Sequence, residues 1–106
     1  MNAEFLLVLC TCPDDGSATA VSTALVEERL AACVNRIPGI RSRYRWQDHV
    51  ETDDEVLLLI KTRGSLYADL EQTIQRLHPY ENPEIVAIDI AAGASAYLDW
   101  IRDSVR

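Results

Sequence analysis

Flexible and basic residues are both scarce in this 106-residue chain, and each shortage narrows what it is. Glycine and proline number four each and fall singly at apparent element boundaries, so no linker or low-complexity stretch divides the chain. One domain spanning 1–106 is expected, with 48% hydrophobic residues to build its core. Ten Lys and Arg stand against seventeen Asp and Glu, a formal net charge of -7 that repels phosphate backbones. Nucleic acid is therefore not an expected partner. No apolar run approaches the ~18 residues that a membrane span needs, and no basic segment leads into a cleavable apolar one at the amino terminus. These features predict a cytoplasmic protein with no membrane partner.

Cysteine is sparse too. Cys10, Cys12 and Cys33 cannot all pair within one chain, and a reducing compartment keeps thiols free. Cys10 and Cys12 share one face of an extended strand, but their Cα atoms would stand roughly 6.5 Å apart, near the upper limit for a disulfide. Core thiols or metal ligands remain as readings. There is no Walker loop, paired-CxxC zinc pattern, HExxH helix or nucleophile elbow, so nothing in the sequence specifies an enzyme. The central strands are aliphatic where an RNA-binding sheet would carry stacking aromatics.

What is present is a clear alternation of strands and helices. Phe5 to Cys12 is a continuous apolar run ended by Pro13-Asp14-Asp15-Gly16, suited to a strand buried on both faces. Ser17 can cap a helix running to about Ala32. From Cys33 to Trp46 the period is two, with Ile40, Tyr44 and Trp46 on one face, Arg41, Arg43 and Arg45 on the other, and a bend at Pro38-Gly39. Gln47-Asp48-His49 is a polar turn, and the acidic run Glu51 to Glu55 leads into the strand Val56 to Ile60. Gly64-Ser65 opens a helix with the stripe Leu66, Leu70, Ile74 and Leu77, stopped by Pro79. Glu84 to Ile90 is a fourth strand, and Ser95 caps a last helix with Tyr97, Leu98, Ile101 and Val105 on one side. The order βαββαβ plus a C-terminal helix predicts an α+β, ferredoxin-like split βαβ fold with an antiparallel sheet. Both crossover helices then cover the same face, leaving aliphatic side chains bare on the other. A second copy of the chain is expected to shield them, so the sequence predicts a homo-oligomer.

Few side chains suggest chemistry. Cys10 lies near the rim of its strand, where a thiolate joined by an imidazole would bind copper or zinc, and where a buried packing thiol is the plainer alternative. His78 sits at a helix carboxyl end, as an accessible imidazole or a helix cap. His49 reads as a solvated turn residue. The arginine row faces the acidic segment, and cross-strand neutralisation accounts for both. Lys61 ends an apolar strand as a snorkelling edge residue or a pocket cation.

Several segments together resemble the CutA family of divalent-cation tolerance proteins. They are Leu30-Ala31-Ala32-Cys33-Val34-Asn35 with Ile37-Pro38-Gly39, Tyr44-Arg45-Trp46-Gln47, Leu58-Leu59-Ile60-Lys61-Thr62, and Leu77-His78-Pro79-Tyr80 with Pro83-Glu84-Ile85. The resemblance covers nearly the whole length in order. It implies a homotrimer of ferredoxin-like subunits, similar to PII signalling proteins, that binds Cu(II) or another divalent cation and is not an enzyme. The family's copper ligands match Cys10 and His78. Cys33 matches the Leu-Ala-Ala-Cys segment and is a weaker metal candidate. Some members carry two consecutive histidines where this chain has Leu77 and His78, and many place glycine where it has Asp48. The resemblance to PII proteins also implies clefts between subunits, which Trp46, Lys61, Tyr80 and Glu84 would line around a small molecule.

Overall fold

Phe5–Cys12 forms β1, and its side chains explain the rest of the architecture. Leu6, Val8, Cys10 and Cys12 point to one side and are fully buried, while Leu7 and Leu9 point to the other and are half-buried. The structure is a computed structural model and describes residues 3–106. Helix α1 (Asp15–Glu27) follows, then β2 (Cys33–Trp46), β3 (His49–Arg63), a 3₁₀ turn at Gly64–Leu66, α2 (Tyr67–Leu77), β4 (Ile85–Asp89) and α3 (Ser95–Ser104). The four strands make one antiparallel sheet in the order β2-β3-β1-β4. The expected βαββαβ order with an added helix, an α+β architecture, is what the chain adopts.

The hydrophobic core lies between the sheet and α1 and α2. Leu6, Val8, Leu58 and Ile60 meet Val21 and Leu25 of α1 and Leu70 and Ile74 of α2 in one buried cluster. Full burial of each large aliphatic side chain contributes about 1.5–3 kcal/mol. The same cluster takes in Val105 from beyond α3. Arg106 N–H donates to the Arg29 carbonyl at 3.1 Å, tying the end of the chain to that of α1.

Helix ends differ from expectation for identifiable reasons. Asp14, not Ser17, caps α1: its Oδ1 accepts the Ser17 N–H at 2.8 Å, which puts Ser17 inside the first turn. The helix stops at Glu27 instead of near Ala32, because Arg29 takes a left-handed conformation (φ 60°) and the N–H groups of Leu30 and Ala31 both fold back to the Leu25 carbonyl. Ala32 then donates to Lys61 and leads into β2. At α3 the cap position is Ala94, with Ser95 already helical.

The largest departure is the length of β3. It starts at His49, so the acidic run is strand and pairs with β2 from Trp46↔His49 to Ile40↔Glu55. Gln47 and Asp48 (φ 48° and 66°) form the two-residue turn, with the positive φ values of a type I′ hairpin. Between Ile37↔Leu57 and Ile40↔Glu55 the register slips at Pro38-Gly39, where Gly39 (φ 74°) supplies the bulge. Beyond this bulge the hairpin projects as an arm. The Cα radius of gyration, 14.2 Å, accordingly exceeds the ~13 Å expected for a compact domain of this length. Along the arm only Arg41 pairs with an acid, Asp54, at 3.1 Å; Arg43 reaches Thr52, and Arg45 lies opposite Val50. Neutralisation of the arginine row is thus confined to one pair.

On the face away from α1 and α2, Leu7, Leu9, Leu57 and Leu59 are half-buried, and Ile37, Val86 and Ile88 are exposed. Part of this face is reached by α3, whose Tyr97 hydroxyl receives a hydrogen bond from Lys61 Nζ at 3.3 Å. Tyr97 also packs against Trp100, ring centroids 5.5 Å apart.

Candidate metal centre

Strand geometry sets the two thiols. Cys10 pairs with Leu58 of β3 and Ile85 of β4, and Cys12 pairs with Val56 at the end of β1, so the central position of the strand fixes both. Being two residues apart, they project to the same side, beneath the helices, and both are 0% exposed. The Cys10 thiol is held above its ordinary value by hydrogen bonding to Cys12 and by burial. Cys12 is lowered by that same bond, with a smaller lowering from the Ser17 side chain at the start of α1.

His78 arrives from another element. Its backbone N–H closes α2 on the Ile74 carbonyl at 2.8 Å, and Pro79 prevents the helix from continuing. The imidazole then crosses to β1, where Nε2 donates to the Thr11 carbonyl at 2.7 Å. Nδ1 accepts the Tyr80 N–H at 3.1 Å, so the proton sits on Nε2 and the ring is neutral. With 7% exposure it is buried, not accessible. One ligand atom from each of Cys10, Cys12 and His78 lies within 4.8 Å of the others. Two sulfurs and an imidazole nitrogen are a donor set suited to copper or zinc.

Cys33 lies elsewhere. It begins β2 opposite Lys61, with β3 between it and β1, and its Sγ contacts Asn35 Oδ1 at 3.8 Å. Cys12 takes the place beside Cys10 instead; its signal in the sequence was the shared strand face.

A groove of about 720 Å³ runs along the arm from Ser42 to Trp46 and is closed on its other side by the loop after α2. Thr11, Tyr44, Trp46, Glu55, Tyr80 and Glu84 are among its lining residues. It thus brings together Trp46, Tyr80 and Glu84, while Lys61 stands apart beside Tyr97. Glu55 had no distinguishing mark in the sequence, closing an acidic run that reads as neutralising the arginine row across the strands. It is nevertheless 6% exposed and accepts the Tyr80 hydroxyl at 2.9 Å. Burial, reinforced by this carboxylate, raises the Tyr80 phenol. The Tyr44 hydroxyl bonds Asp53, which pushes its pKa up to about 12.

Residues 6–104 match the family model described as CutA1 divalent ion tolerance protein. The chain belongs to that family. A CutA divalent-cation tolerance protein of Thermus thermophilus is 51% identical over 98 residues, covering 92% of this chain and 95% of the relative. A solved structure of the Thermus thermophilus CutA1 superposes with a TM-score of 0.94 at 49% identity, over 96% of this chain and 99% of that one. The CutA structure from Archaeoglobus fulgidus, described as periplasmic, has a TM-score of 0.93 at 33% identity, over 96% and 99% of the two chains. Longer CutA relatives exist: the chloroplastic protein of Arabidopsis thaliana is 41% identical over 95% of this chain, which spans 56% of that relative. The family model and the Thermus relative are both described by divalent-cation tolerance.

Proposed function

We propose that this CutA chain acts in divalent-cation tolerance as a homotrimeric copper-binding protein, taking the ion at the cluster of Cys10, Cys12 and His78. The observation that carries the reading is the convergence of two buried sulfurs and one imidazole within 4.8 Å. Cys10 and His78 are the ligands from two separate elements, and Cys12 is the donor beside them. For Cu(II), Nδ1 of His78 would be the third donor once it gives up the Tyr80 N–H, while the Nε2–H kept on the Thr11 carbonyl would orient the ring. Other divalent ions that accept sulfur and nitrogen compete for the same donors. Binding, not transport, is the contribution to tolerance, since no helix among the described residues is long and apolar enough to cross a membrane. Three free thiols suit a reducing compartment, the cytoplasm.

The trimer is supported by the open face of the sheet. Leu7, Leu9, Leu57 and Leu59, with exposed Ile37, Val86 and Ile88, form apolar surface that other copies of the chain would cover. Calorimetric copper titration of the wild type, Cys10→Ala and His78→Ala tests the function. Both variants should bind more weakly, and equal affinity in all three would remove both residues from the site.

A second reading is a PII-like module that binds a small molecule. The groove at Trp46, Tyr80 and Glu84 favours it, with Lys61 entering only across a subunit boundary. A metabolite screen by thermal shift separates the readings, since a specific ligand raises the melting temperature with occupancy. Lys61→Ala should abolish that shift.

A further inference from the structure

Resting on the copper reading above, and sharpening it, we infer that the ion held in the cell is Cu(I). It is clipped between the sulfurs of Cys10 and Cys12 alone while His78 keeps both of its hydrogen bonds. The first ground is the state of the imidazole. Nε2 is committed to the Thr11 carbonyl at 2.7 Å and Nδ1 to the Tyr80 amide at 3.1 Å, so the ring has no free lone pair. Recruiting it would strip a partner from a backbone group at a site that is 7% exposed. The sulfurs hold only weaker thiol bonds, Cys10 Sγ donating to the Thr11 carbonyl at 3.9 Å and Cys12 bonding Cys10 and the Ser17 side chain.

The second ground is donor type. The cluster contains no carboxylate, only Cys10, Cys12 and His78, and with the imidazole occupied its remaining donors are two thiols. Thiolate ligands select soft ions, Cu(I) among them, whereas Cu(II) favours tetragonal nitrogen and oxygen sets. The third ground is space. Both cysteines are 0% exposed and belong to the same packed cluster as Ala18, Val56 and Leu58, so solvent does not complete a larger shell. Structural zinc needs four ligands. Cu(I) is satisfied by two in line.

The span between the sulfurs is right for such a clip. They lie no more than 4.8 Å apart, so an ion between them reaches both at about the 2.3 Å of a metal–thiolate bond. Both come from one strand whose register is held on each side, Cys10 between Leu58 and Ile85. The backbone ladder therefore fixes both donors before any ion arrives. His78 acts as a positioning residue that braces the loop beside the clip.

The test is an oxygen-free titration with Cu(I) buffered by the chromophoric chelator bicinchoninate, on wild type, Cys12→Ser and His78→Gln. X-ray absorption on Cu(I)-loaded wild type runs in parallel. Cys12→Ser should weaken binding by more than the roughly 10–100-fold that loss of an outer-shell partner causes, and His78→Gln should stay below that range. The absorption spectrum should show two sulfur neighbours and no nitrogen. A nitrogen in the copper shell, or an equal loss in both variants, overturns the clip; the wild-type spectrum decides even where a variant fails to fold. Wild type that takes up Cu(II) through His78 but no Cu(I) sinks this inference and leaves the copper reading intact. Uptake of neither ion sinks both.

Discussion

The two halves of β3 share the ladder to β2 and have opposite surroundings. From Val56 to Ile60 the strand is central, flanked by β1 and β2 and roofed by two helices, and Leu58 and Ile60 are fully buried. From His49 to Asp54 it pairs only with β2, and every residue is exposed. Hydrogen-bonded pairing alone therefore carries a strand beyond the core, but a second layer is what makes a strand contribute hydrophobic stability. Glu55 marks the crossing point. It is a buried carboxylate bonded by Tyr80, set between the dry half and the wet one.

Replacing side chains along this one strand exposes the difference. Ile60→Ala should lower stability by about 2–5 kcal/mol in urea unfolding, through lost burial and the cavity left behind. Val50→Ala, on the arm, should stay within about 0.5 kcal/mol. A large loss at Val50, which is 62% exposed in one subunit, would mean that assembly buries the arm and would erase the contrast. At the junction, Tyr80→Phe removes the hydroxyl from buried Glu55 and should cost about 1.5–3 kcal/mol. Its pH dependence has a definite sign. A phenol whose folded pKa is raised stabilises fully below its ordinary pKa of about 10 and loses that contribution as pH rises beyond it. Tyr80→Phe should therefore flatten the alkaline limb of a stability profile, and an unchanged limb would exclude the Tyr80–Glu55 contact as its source.

Smaller effects belong to the ends of elements. Asp14→Ala uncaps α1 and should cost about 1 kcal/mol without touching the arm. The Ser17 amide and hydroxyl hold the Asp14 carboxyl below its ordinary range, so its contribution is present above about pH 3.9 and is lost as pH falls through the lowered value. The wild type should thus lose more stability on acidification than Asp14→Ala does. A small gain is expected at the turn, where Gln47-Asp48 replaced by Asn-Gly suits the positive φ values that ordinary side chains adopt less readily. Melting should rise slightly, and a fall would show that the native tip makes contacts outside one subunit.

The sequence makes the helix-covered half legible and the arm much less so. The Phe5 to Cys12 run and the Leu66, Leu70, Ile74 stripe declare themselves because burial selects apolar side chains at a fixed period. The arm strand from His49 has no such selection: its acids read as partners of the arginine row leading into a strand at Val56, whereas the strand already begins at His49, paired along one edge with β2. Arg29 hides the end of α1 because a left-handed arginine replaces the glycine that usually signals one. At the candidate centre, the shared face of Cys10 and Cys12 follows from strand period, whereas the approach of His78 needs the packing of α2 on the sheet. Neither the carbonyl of Thr11 nor the amide of Tyr80 is visible in a residue pattern, yet together they determine the state of the ring.

Trp46 stands at the arm's last ladder pair and Trp100 on α3, both partly exposed, and the chain has just these two tryptophans. The molecule thus carries one built-in fluorophore at each end of its architecture. Replacing either with phenylalanine yields a chain whose emission follows a single region, so arm ordering and subunit docking become separable optical signals.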